Sequence, residues 1–407
     1  MLRALGHRNY RIYFFCMLAS FVGTWMQGVA QAWLVYRLTR SPWLLGLAGF
    51  VGQAPVLFFG PLGGVLADRH SRRKIIILTQ IVSMFQALAL GWLTLTGMVS
   101  VEWVVALALL LGVINAFDLP ARQSFMIELV GREDLMNAIA LNSSMINGAR
   151  IVGPALAGVL VATLGEGLCF LTNGVSFLFI IAGLFALQIK RENVERPQGS
   201  ALANLKEGFE FVRDARAVRA VLMLVGAVSL FGLPYLVLMP VFADQILGGG
   251  PQSLGILMSA AGAGAMLGAL TLAARRESRG LGRVVALCVV AFSVMLVLFS
   301  ISRNLILSTA LLIPTGFAVM LQLSASNTLL QMMSPDHLRG RMMSFYSVSL
   351  IGTIPFGNLM AGAVAARLGA PETLALGAVI CFAGAIIFSR VLRTLKSEAS
   401  GEQQDAG

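Results

Sequence analysis

Twelve long apolar runs, joined by connections that are alternately basic and nearly chargeless, dominate this 407-residue sequence. They lie near residues 11–37, 43–67, 75–97, 101–128, 138–163, 168–189, 217–246, 251–274, 281–301, 304–332, 340–366 and 370–392. About 20 apolar residues cross a bilayer as an α-helix, whereas a barrel strand needs only about 10. In lipid every backbone N–H and C=O must be satisfied internally, so runs of this length fold as helices. The chain is therefore expected to be an all-α integral membrane protein with twelve transmembrane helices. Composition agrees, since 57% of residues are hydrophobic and only 12% are charged. A soluble domain carries roughly 25% charged residues, so a water-soluble enzyme and a disordered chain are both excluded. The 43 glycines suit close packing of membrane helices.

The N-terminus, MLRALGHRNYRIYFF, is basic and runs into an apolar stretch reaching about Val35. A secretory signal has an apolar region of only 7–15 residues, so this segment reads as a first, uncleaved helix. The net charge is +11, which on a soluble protein would suggest nucleic acid. Here its distribution decides. Of 30 Lys+Arg, 24 fall in one set of connections, 4 in the other and 2 inside spans. Positive residues collect on the cytoplasmic side, so both termini are expected to be cytoplasmic, no nucleic-acid partner is implied, and a bacterial inner membrane fits.

The longest connection splits the chain six plus six. The expected organisation is an N-terminal six-helix bundle (1–189), a cytoplasmic linker (190–216), a C-terminal six-helix bundle (217–393) and a disordered tail (394–407). Within the linker Leu202, Leu205, Phe209 and Val212 recur at helical spacing between charges, the pattern of an amphipathic helix at a membrane surface. The halves also repeat one another. Pro42 and Gly46 correspond to Pro251 and Gly255, and GREDLMN (131–137) to PDHLRG (335–340). Gly153, Gly158 and Gly165 correspond to Gly357, Gly362 and Gly369 at a constant offset of 204. Two repeated halves with a site between them near the midplane are a plan of secondary transporters.

The first basic connection reads Gly64-Val-Leu-Ala-Asp68-Arg69-His-Ser71-Arg72-Arg73-Lys74. It resembles the loop between helices 2 and 3 of the major facilitator superfamily, departing from it at Ser71, where that pattern usually has Gly. Arg150-Ile-Val-Gly153-Pro154-Ala-Leu-Ala-Gly158 looks like the Gly-Pro motif of the superfamily's drug:proton antiporters. GTWMQGVAQAWLVYRLTRSP (23–42), AFDLPARQSF (116–125) and LGEGLCFLTNG (164–174) resemble the branch of enterobactin-exporter-like and macrolide-efflux-like proteins. An Arg that many family antiporters carry early in helix 4 is absent, and Val101 to Leu111 holds only Glu102 as a charge. The resemblance implies the major facilitator fold, export of an amphipathic small molecule such as a drug or siderophore, and a cytoplasmic latch of Gly64, Asp68, Arg69, Arg72, Arg73 and Glu128. Gly64, one turn before Asp68, would let another helix approach. Arg72 is expected to meet Glu128, and Asp68 to point at the start of helix 11, near 340–343.

Among the acids only Asp118 lies deep in a span, with Arg122 one helical turn away and Arg150 at mid-depth in the next helix. A charge at mid-bilayer costs on the order of 3 kcal/mol even on lenient scales, so these groups should face inward and pair. Two readings stay open for Asp118: a protonatable coupling residue poised by Arg122 or Arg150, or a permanent ion pair that registers helices 4 and 5. Arg150 could alternatively hold an anionic substrate. Gln27, Gln31, Trp33, Gln322 and Asn327 are candidates for an amphipathic substrate cavity, or for interhelical hydrogen bonds.

Other chemistries find no support. None of the four lysines follows a Gly, so there is no phosphate-binding GxxxxGK[ST] loop. His7, His70 and His337 are all in connections, so no metal site is expected. The four cysteines sit in apolar runs without a CxxC pair and read as packed thiols. No cofactor is called for. The expected partners are a small-molecule substrate, protons and the lipid bilayer, with the protein a monomer. A proton-coupled exporter is the leading reading. An importer or uniporter of another organic solute is the alternative within transport, and a membrane scaffold or receptor the alternative outside it.

Overall fold

The computed structural model describes residues 3–188, 209–275 and 280–405. Among these, twelve helices are long and apolar enough to cross a membrane. They are α1 (Arg8–Thr39), α2 (Pro42–Arg69), α3 (Arg72–Leu95), α4 (Val101–Val130), α5 (Leu135–Leu164), α6 (Glu166–Ala186), α7 (Arg216–Ile246), α8 (Gly250–Ala274), α9 (Leu281–Ile301), α10 (Leu305–Met333), α11 (Arg339–Leu368) and α12, whose span is Ala370–Leu392. The backbone of α12 stays helical to Asp405, beyond the residue at which the sequence ends the second bundle. The linker's expected amphipathic helix lies largely outside the described residues, although 209–214 are helical.

The helix surfaces are apolar on the outside as well as the inside. Phe58, Trp92, Leu287 and Ile306 are 62%, 65%, 68% and 81% exposed, which suits a lipid solvent and no other. Connections on the face opposite the termini are tight. Ser41 caps α2 by accepting from the Leu44 N–H at 3.4 Å, with Pro42 in the first turn. Single residues, Gly165 and Gly369, join α5 to α6 and α11 to α12 at φ of 82° and 99°, a conformation that a Cβ disfavours.

The six-plus-six repeat is visible in the packing. In the first half α1 lies on α5 and α6, α2 on α4, and α3 on α4 and α6; the second half repeats this with α7 on α11 and α12, α8 on α10, and α9 on α10 and α12. The halves meet at two equivalent crossings, α2 with α11 and α5 with α8. The repeated glycines make them. A Cβ on Gly46 would lie 2.8 Å from Gly362 Cα, and one on Gly158 would lie 2.9 Å from Gly255 Cα. Gly153 and Gly357 also play matching parts. The first closes α5 on α1 beside Trp25, and the second closes α11 on α7 beside Leu230 and Pro234. Small residues let helix backbones approach where lipid offers no hydrophobic drive to associate.

Both crossings lie toward the face opposite the termini. Hydrogen bonds and ion pairs between described residues of the two halves are there or near mid-depth: Arg40 with Asp244, Tyr36 Oη to Asp244 Oδ2 at 3.2 Å, and Ser259 Oγ to the Ile151 carbonyl at 2.9 Å. The protein is thus pinched shut on the far face.

Candidate functional site

The three charged residues deep in the spans, Asp118, Arg122 and Arg150, form two separate sites. The first is inside the N-terminal half. Asp118 on α4 is 2% exposed. Its Oδ2 lies 2.6 Å from Arg122 Nε, one turn along the same helix. Its Oδ1 is 2.6 Å from Thr79 Oγ1 and 3.2 Å from Gln80 Nε2, both on α3. Arg122 rests on the Phe21 ring of α1, with Cζ 5.0 Å from the centroid. Pro120 removes one backbone donor from this turn, and the Ala116 carbonyl so released faces Gly63 of α2, where a Cβ would overlap it. Asp118 therefore pairs with Arg122, one of the two partners expected, and bridges α4 to α3. The partners Thr79 and Gln80 had one signal in the sequence, two polar residues inside the apolar run of α3.

Thr79 adds a chemical feature. Its hydroxyl oxygen is 2.6 Å from Asp118 Oδ1 and 2.9 Å from the Ile76 carbonyl. A hydroxyl has one proton to donate but can also accept. It can donate to the carboxylate when Asp118 is charged. When Asp118 carries a proton, Thr79 can accept from it and donate to the Ile76 carbonyl. Thr79 can thus follow either protonation state of Asp118, while Gln80 Oε1 and Arg122 Nε stay buried without a hydrogen-bond partner.

The second site is at the seam between the halves. Arg150, midway along α5, does not join the Asp118 cluster. Its guanidinium lies over Trp25 of α1, with Cζ 5.0 Å from the ring centroid. Tyr235 of α7 is within electrostatic reach, and Gly262 of α8 abuts the Arg150 backbone carbonyl. Arg150 Nε is buried without a hydrogen-bond partner. Tyr235 went unnoticed in the sequence, because an aromatic in an apolar run carries no mark of the helix it will face.

The basic connection after α2 divides. Arg72 Nη1 meets Glu128 Oε1 at 2.8 Å, tying the start of α3 to the end of α4. Arg73 donates to the Phe185 carbonyl at 3.1 Å. Asp68 and Arg69 are exposed, and among the described residues no hydrogen bond or ion pair joins Asp68 to 340–343. This accords with a seam joined on the far face, because that contact would bridge the two halves at the face bearing the termini. A Cβ on Gly64 would meet nothing within 4 Å. The close approach expected of it belongs to its neighbour Gly63, which the helical rotation of one residue turns onto α4.

The polar cavity candidates also divide. Gln27 is 2% exposed, donates to Gln86 at 3.0 Å and accepts from Asn173 at 2.7 Å; it is an internal strut between α1, α3 and α6. Trp33 is buried against Tyr36. Gln322 is fully buried on Ser326 at 3.1 Å. Gln31 and Asn327 are partly exposed, with Asn327 accepting from Gln331 at 2.6 Å. Periodicity does not separate a side chain facing a cavity from one facing a neighbouring helix.

Comparison with known proteins agrees with this architecture. The family described as transmembrane secretion effector matches residues 2–405. The staphyloferrin A transporter of Staphylococcus aureus (strain NCTC 8325 / PS 47) is 22% identical over 95% of this chain and 97% of its own. The multidrug efflux pump Tap of Mycolicibacterium fortuitum is 27% identical over 94% and 95%. The enterobactin exporter EntS of Shigella boydii serotype 4 (strain Sb227) is 26% identical over 89% and 86%. Among solved structures, a bacterial homolog of the human lysosomal transporter Spinster superposes with a TM-score of 0.73 at 15% identity, covering 95% of this chain and 96% of that one. The nucleoside transporter NupG gives 0.73 at 13% identity, covering 95% and 99%. With the motifs, the duplicated six-helix halves and the full-length match all in agreement, the chain belongs to the transmembrane secretion effector family of the major facilitator superfamily, a family of integral membrane transporters.

Proposed function

We propose that this transporter exports an amphipathic small molecule by alternating access, coupled to protons, from a bacterial inner membrane in which both termini are cytoplasmic. The observation that carries the reading is the Asp118 cluster: a deep carboxylate with a hydroxyl partner able to follow either protonation state. A carboxylate that carries protons across must meet solvent from alternate sides, as it would when the two halves rock against each other. The two glycine crossings bring the backbones of the halves together and so supply pivots for such rocking, with Phe50 and Phe356 packed edge to face across α2 and α11. Export is supported by the names of the relatives, two of which are an efflux pump and an exporter.

The test is Asp118→Asn, which keeps the size of the side chain and its contact with Thr79 but cannot ionise. In everted vesicles given a pH gradient and a panel of fluorescent amphipathic compounds, the wild type should accumulate its substrate. The Asn variant should bind that substrate yet fail to concentrate it. Uphill accumulation by the variant with its pH dependence intact would reduce Asp118 to a structural partner. Gradient-driven flux in the opposite direction would favour the importer reading, and no flux of any compound would favour a scaffold or receptor.

A further inference from the structure

A cation held permanently inside a membrane protein is normally paired, and Arg122 follows that rule through Asp118. Arg150 breaks it. Among the described residues it has no ion-pair partner; the buried Nε atoms of both arginines lack a hydrogen bond, but only Arg122 has a carboxylate beside it. The Trp25 ring takes one face of the guanidinium at 5.0 Å, which leaves the planar N–H edge free. That edge fits a carboxylate in the bidentate manner. Tyr235 from the other half, 3% exposed, is within electrostatic reach of it, and on α1 Thr24 and Gly28, the sequence neighbours of Trp25 one before and three after, are exposed in mid-helix.

We infer that Arg150 anchors the anionic group of the transported molecule, and that the substrate class is an organic carboxylate with an aromatic or other apolar body lodged between Trp25 of one half and Tyr235 of the other. The inference rests on the transport reading above and adds the substrate's charge to it. Without the substrate, the protein holds one uncompensated positive charge at its seam. The arriving carboxylate neutralises it in a medium of low dielectric, where charge-assisted hydrogen bonds are strong. A ligand held by α1, α5 and α7 would touch both halves, so its presence would bear on their relative movement.

The experiment uses purified full-length protein in a neutral detergent and three probes with one shared ring system: 2-naphthoate, 2-naphthamide and 2-naphthylmethylamine. Binding is read by equilibrium dialysis and by the shift of the thermal unfolding midpoint. Naphthoate should bind and stabilise more than the amide, and the amine should bind least. Arg150→Gln should weaken naphthoate by about tenfold or more, as loss of a charged hydrogen bond implies, while Arg150→Lys retains part of the affinity. Ligand-free Arg150→Gln should unfold no lower than wild type, because an unpaired charge has been removed. A lower midpoint without ligand would make Arg150 a strut and overturn the inference. So would an amine preference, unchanged naphthoate binding in the Gln variant, or no naphthoate binding at all. The two readings fail separately. If naphthoate binds through Arg150 but no probe crosses proteoliposomes under a pH gradient, the transport reading fails; if the amine is driven uphill instead, transport stands and the anionic class falls.

Discussion

Two adjacent glycines show how much a single residue's place on a helix decides. Gly64 is the one the family motif singles out, yet its Cα faces open space, while Gly63 is pressed on Ala116 and Phe117 of α4. Gly63→Ala would force a methyl into the Ala116 carbonyl, next to the Asp118 turn. Overpacking of this kind costs about 1–3 kcal/mol. Gly64→Ala should be neutral or stabilising within about 1 kcal/mol, because Ala is the better helix former and meets nothing. Thermal unfolding of the two variants in detergent, together with transport, checks this. Equal damage from both substitutions would mean that Gly64 makes its contact in a state closed at the face bearing the termini. The motif was readable in the sequence, but the contact was not, since one residue of helical rotation is about 100°.

At the scale of elements, the ends of α1 and α7 act together. Arg40 ends α1 in a left-handed conformation, φ 52°, and reaches across to Asp244, which sits in a widened π-type turn, Phe242–Ile246, at the end of α7. Tyr36, one turn earlier on α1, donates to the same carboxylate. The pair joins the halves on the far face, beyond the two glycine crossings. The Arg40 side chain is 58% exposed, so solvent screens the pair and its contribution is small. Asp244→Asn should therefore shift the balance of closed and open far faces only by a few-fold. Spin labels at Met98 and Ile306, exposed on that face in opposite halves, should report more of the longer distance in Asp244→Asn. An unchanged distance distribution would show that the pair does not hold the face closed. Arg40 and Asp244 are 204 residues apart in the chain, and their pairing has no local signature in the sequence.

For the whole molecule, sidedness is open to a direct check. With 24 of 30 basic residues on the side of the termini, that side should be cytoplasmic. In a background lacking the four native cysteines, Thr96→Cys on the far face should react with an impermeant maleimide added to intact cells. Asp336→Cys, 90% exposed on the side chain, should react only after the membrane is opened. The reverse pattern would invert the topology and with it the direction of transport proposed above.

Twelve helices, the alternation of basic and chargeless connections, and the duplication could all be read from the amino-acid order. These follow from properties that are local or additive: apolar length, loop charge and repeated spacing. The glycine correspondences were readable as a duplication, and the structure shows that they make the crossings, because both copies of a repeat must solve the same packing problem. It took the packed arrangement to settle that Asp118 pairs with Arg122 and leaves Arg150 at the seam, that Gln27 ties three helices together, and that Gln322 is buried on Ser326 of its own helix. A helix in lipid is apolar all round, so its sequence does not mark which face meets a neighbour, a cavity or the bilayer. That choice is made by the other eleven helices.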